Sequence, residues 1–91
     1  MSLHLVFSLA GLEACLARRE SADPIVLMSD ATFALTHYPM DQNYAVLASD
    51  AASRGLDPER LSARGSAIKP VDYAELVALT AAHTPIVRWR D

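Results

Sequence analysis

The sequence has little of what small proteins usually build recognisable chemistry from. One cysteine, Cys15, stands in 91 residues, so no internal disulfide can form and a stapled secreted scaffold is excluded. Three scattered glycines make neither a G-x-G-x-x-G fingerprint nor a phosphate loop, which removes the common nucleotide-binding readings. The three histidines, His4, His37 and His83, are far apart, and none belongs to a zinc-ligand spacing, so no metal site is expected. Positive charge is also scarce. Eight Lys and Arg face eleven Asp and Glu, and the longest basic cluster is Arg18-Arg19, too little to hold a phosphate backbone. No apolar run approaches the ~20 residues that span a bilayer. The opening MSLHLVFSLAG has no Lys or Arg ahead of its short apolar run, a poor signal peptide, and the expected compartment is the cytoplasm.

What the chain does have is apolar side chains, 52% of its residues. At this length it reads as one domain, 1–91, and such a domain buries only about 60–65% of its unfolded surface. The interior cannot hide all of that material, so an apolar face covered by a partner chain is expected.

Short apolar runs alternate with helix-type segments. LHLVF (3–7) reads as a strand, and SLAGLEACLARR follows with Leu9, Leu12 and Leu16 on one helical stripe. After Asp23-Pro24, IVLM (25–28) is apolar at every position, as in a strand buried on both faces. Ser29-Asp30 opens a short helix ATFALTH, and YAVLA (44–48) is a third strand. Ser49-Asp50 begins the helix DAASR, with Gly55 where a left-handed residue is wanted. Asp57-Pro58-Glu59 predicts a brief helical turn through Leu61, and AIKPV (67–71) a weak strand. The clearest helix is VDYAELVALTAAH, where Asp72 and Glu75 form a carboxylate capping box and Tyr73, Leu76, Val77 and Thr80 share one side. A last strand IVRW follows Pro85. This alternation predicts an α/β fold with a mostly parallel sheet of about five strands.

Few residues are candidates for chemistry. Asp30 lies at a strand-to-helix junction, the edge where α/β sheets bind ligands, and reads either as a ligand-edge residue or as a helix cap. Asp50 and Asp72 occupy similar junctions and read as caps. His37, Tyr38 and Met40 form a polar and aromatic loop that could meet a partner. Cys15 falls about 90° from the centre of the leucine stripe, at its rim. Arg18 and Arg19 lie three and four residues on, within reach, where guanidinium groups favour thiolate over thiol. Spacing leaves two readings of Cys15 open, a half-buried structural side chain and a reactive thiol.

The ordered set Asp50, Arg54-Gly55, Asp72-Tyr73, Leu79-Thr80 and Trp89 resembles the TusB/DsrH family of sulfur-relay proteins, as do the opening Leu-His strand and IVLMSDATFAL. The family commonly has a Gly where this chain has Ala31. The resemblance covers nearly the whole chain. It implies a three-layer α/β/α fold and a heterohexamer with TusC/DsrF-like and TusD/DsrE-like subunits, with no cofactor. It also implies a sulfur donor of TusA type and an acceptor of TusE/DsrC type. The pathway it implies is 2-thiolation of the tRNA wobble uridine, or, in the Dsr branch, oxidation of stored sulfur. Chains of the Dsr branch carry a cysteine on the first helix, as Cys15 would be, whereas TusB-like chains often lack one. By that resemblance Cys15 is a candidate persulfide carrier, with Arg18 and Arg19, placed by their spacing, as electrostatic support. The alternatives are an interaction subunit without chemistry of its own and a free-standing homo-oligomeric relative.

Overall fold

A computed structural model describes residues 2–20, 22–36, 43–57 and 68–90. Five strands form one all-parallel sheet: β1 (Leu3–Val6), β2 (Ile25–Leu27), β3 (Tyr44–Leu47), β4 (Lys69–Val71) and β5 (Ile86–Trp89), in the order β4-β3-β2-β1-β5. Parallel pairing needs a crossover between successive strands. These are supplied by helix α1 (Leu9–Arg18), a 3-10 helix (Ser29–Thr36), helix α2 (Ala48–Ser53) and helix α3 (Tyr73–Ala82).

Side-chain alternation divides the core in two. Val6, Ile25, Leu27, Tyr44 and Val46 face α1, the 3-10 helix and α2, while Leu3, Leu5, Val26, Leu47 and Val71 face α3. The right-handed rule explains the split: the chain steps one way from β1 to β4, then returns through α3 on the opposite face to reach β5 beyond β1. The expected three layers are therefore present. Each fully buried Leu or Ile contributes about 1.5–3 kcal/mol, and β1 and β2, with every residue buried, hold the centre.

Two end signals act as read, and one does not: α2 begins at Ala48 with no side-chain cap, so Asp50, expected to cap it, lies inside its first turn and accepts from Ser29 N–H instead. Glu75 N–H donates to Asp72 Oδ1 at 2.7 Å, and Asp72 N–H donates to Glu75 Oε1 at 3.3 Å, completing the capping box. After α2, Gly55 has φ 70°, with Leu56 N–H on Ala51 O and Gly55 N–H on Ala52 O. That pair of bonds is the Schellman closure, which favours glycine at the left-handed position. The turn expected from Asp57 through Leu61 lies largely outside the described residues.

The short helix expected after β2 is a 3-10 helix, and Ser29 at its start has φ 51°. On the side of α3 shared by Tyr73, Leu76, Val77 and Thr80 only Leu76 is buried; Tyr73 and Val77 are 60% and 65% exposed. Apolar residues surround most of α3, so periodicity could not single out the face that packs.

Candidate functional site

Cys15 is placed by contacts at the start of its helix. Ser8 caps α1, accepting from Gly11 N–H at 2.9 Å, and its hydroxyl donates to Arg90 O at 2.6 Å beyond β5. Gly11 lies against β5 so closely that a Cβ there would stand 2.5 Å from the carbonyl oxygen of Trp89. This approach sets the rotation of α1. Gly11, Leu12 and Cys15 are the buried positions, while Leu9 and Leu16 are only partly covered. The stripe read from the leucines alone is thus turned, and Cys15 lies in the core with 0% exposure, not at the rim.

Burial pushes the Cys15 thiol up to about 11; the Arg19 guanidinium opposes that rise, and the Asp23 carboxylate adds to it. Arg19 Nη1 donates to Asp23 O at 2.8 Å, and the guanidinium lies 5.4 Å over the ring of Tyr44. Arg18 is exposed at the helix end. The two arginines are therefore not brought together on the sulfur.

At the carboxyl edge of the sheet, Asp30 is joined to residues from α2. Arg54 Nε donates to Asp30 Oδ1 at 3.1 Å, Nη1 to Asp50 O at 3.1 Å and Nη2 to Ser29 Oγ at 3.3 Å. Ser29 N–H donates to Asp50 Oδ2 at 2.6 Å. Asp50 therefore clasps the loop after β2, and Asp30 pairs sideways with Arg54. The cluster engages three of Arg54's guanidinium nitrogens internally, so it braces the edge. His37 and Tyr38 lie outside the described residues.

A polar chain that sequence reading missed crosses the sheet. Trp89 Nε1–H donates to His4 Nδ1 at 2.9 Å, and His4 Nε2 meets Asp23 Oδ2 at 3.0 Å, with His4 and Asp23 buried. The indole is a donor only, which assigns the proton of neutral His4 to Nε2, where it donates to Asp23. These bonds hold the Asp23 carboxyl below its ordinary range, the His4 contact first among the causes. Only the family's opening Leu-His and closing Trp hinted at it, because the partners are 19 and 85 residues apart.

On the α3 face an open groove of about 580 Å³ runs between that helix and the amino halves of β2 and β3, lined by Val26, Ala45, Val71, Leu79 and Ala82. Among the described residues no three His, Cys, Asp or Glu side chains converge as a metal site, and no helix is long and apolar enough to cross a membrane.

Comparison with the curated proteins found no match. A family model does match, over residues 6–86, and its description is "DsrH like protein". That span takes in the buried cysteine, the Asp30–Arg54 edge and the α3 face, and the chain belongs to the DsrH-like family.

Proposed function

We propose that this chain is an interaction subunit of a persulfide-relay complex, serving 2-thiolation of the tRNA wobble uridine, with Cys15 as a packing residue. Membership of the DsrH-like family supports a sulfur-relay role in general. The burial of Cys15 carries the rest. A carrier cysteine must attack, as thiolate, the terminal sulfur of a donor persulfide, forming a new S–S bond and releasing the donor thiolate. At a value near 11 only on the order of one thiol in ten thousand is ionised at pH 7, and the sulfur has no exposed surface for a donor to meet. The carrier is then a cysteine of a DsrE-like partner chain, with a DsrF-like chain completing the complex. A non-carrier cysteine makes this chain functionally equivalent to the TusB-like chains that lack one, which favours the tRNA pathway.

The exposed side of α3 supports the partner. Tyr73 and Val77, one turn apart, stand in solvent beside Ala74 and Ala81, with the apolar groove on the helix's other flank. A second reading, a carrier subunit in sulfur oxidation, is favoured by the place of Cys15 on the first helix, as in Dsr-branch chains.

Co-expression with the two partner chains tests the proposal. A stable complex is expected, with the Cys15→Ser subunit sustaining wild-type levels of 2-thiouridine in tRNA. A solitary monomer would contradict the interaction role. Normal tRNA thiolation in cells lacking the chain, together with lost sulfur oxidation, would select the second reading.

A further inference from the structure

The polar chain from Trp89 through His4 to Asp23 has no part in the role proposed above, yet it joins three distant segments. Trp89 is the β5 side chain packed against the core under α1, and among the described residues β5 is an edge strand paired only with β1. Its other side chains are exposed or half-buried. We infer that Trp89, His4 and Asp23 form a proton-operated latch: neutral His4 holds the Trp89 indole on Nδ1, and a proton taken up there releases the indole and loosens β5 from β1.

The two ends of the latch respond oppositely to that proton. Once Nδ1 carries a hydrogen it confronts the indole N–H, donor against donor, and this hydrogen bond cannot survive. The Nε2 bond to the Asp23 carboxylate instead strengthens, because protonation turns it into an ion pair with donor and acceptor both charged. A proton from solvent therefore opens the β5 end and leaves the β2 end shut. The charged groups around the ring suit this asymmetry. From the turn before β2, Asp23 presents its carboxylate, which also accepts Glu20 N–H at 3.2 Å. From the end of α1, the Arg19 guanidinium is held on the Asp23 carbonyl, and the neutral thiol of Cys15 sits one turn earlier. β2 contributes the apolar Ile25 as His4's strand neighbour. On β5, Arg88 is exposed, and beyond the strand Arg90 lies over the Phe7 ring at 5.4 Å. The indole is thus the group opposing an imidazolium at Nδ1. Release of Trp89 would also disturb the seat of α1, since Gly11 rests on the Trp89 carbonyl.

The test is a titration of the full, nitrogen-15-labelled chain from roughly pH 8 to pH 5, the span in which histidine charge ordinarily changes. At the upper end His4 should show the Nε2–H tautomer. As pH falls, protonation of Nδ1, movement of the Trp89 indole N–H signal and changes at the Leu3 and Phe7 amides should share one midpoint. Those amides donate to Pro85 O and Trp89 O, so they report strand pairing. His4→Gln keeps a donor for Asp23 and takes up no proton, so the step should vanish. Should that variant fail to fold, replacing both His37 and His83 by Gln leaves His4 as the only histidine, and the step should persist. An Nδ1–H tautomer at pH 8 overturns the latch, as does a His4 that stays neutral to pH 5. So does a protonated His4 with unmoved indole and amides, or a step that survives His4→Gln.

Discussion

The carbonyl oxygen of Trp89 occupies the space a side chain on Gly11 would need, 2.5 Å from where its Cβ would stand. One missing methyl group lets α1 settle onto β5 and turns Cys15 inward.

Gly11→Ala should therefore destabilise the protein although alanine is the better helix former. The propensity gain is about 1 kcal/mol. Overpacking against a backbone atom, which cannot swing aside, costs about 1–3 kcal/mol. Urea unfolding should show a lower midpoint; an unchanged or raised one would contradict the proposed seat of α1.

Cys15 makes a prediction at alkaline pH. Its thiol ionises near its ordinary value in the unfolded chain and near 11 in the folded one, so the unfolded state loses its proton first. Stability is whole below about pH 9 and declines as pH rises towards 11, by about 3 kcal/mol in all. Cys15→Ala should flatten that limb. In the native protein at neutral pH, thiol reagents should react orders of magnitude more slowly than after denaturation. Equal rates would contradict the burial.

Asp23 acts at the other end of the scale. Its native carboxyl titrates below the unfolded one, so its stabilising contribution is present above the unfolded value, about 3.9, and is lost as pH falls through the lower native value. Asp23→Asn should lessen the acid sensitivity of unfolding below about pH 4. An acid limb identical to wild type would show that the His4 bond does not hold the carboxylate.

At the sheet's carboxyl edge, Asp30 and Arg54 form an ion pair but should not matter equally. Asp30 is largely exposed, and Asp30→Ala should cost less than about 1 kcal/mol. Arg54→Ala also removes donors from Asp50 O and Ser29 Oγ and should cost roughly 1–3 kcal/mol. Equal losses in denaturant melts would mean that the bridge to α2 contributes nothing.

Local signals made most of the fold legible. The unbroken apolar run at Ile25–Leu27, the Asp72–Glu75 box and Gly55 each encode their structure within a few residues. The site resisted for the opposite reason. The depth of Cys15 depends on Gly11 meeting a strand at the far end of the chain, and a glycine in a helix does not reveal which face it presents. His4 gained its meaning only from Asp23 and Trp89, brought together by parallel pairing of β1 with β2 and β5. For α3, apolar residues on most sides left the choice of buried face to tertiary packing, which selected Leu76.

The most direct measurement of the central claim is the intact mass of each subunit after the assembled complex meets a persulfide donor. This chain should gain no sulfur, and Cys15→Ser should leave the partner's gain unchanged. A gain of one sulfur on this chain, abolished by Cys15→Ser, would contradict it.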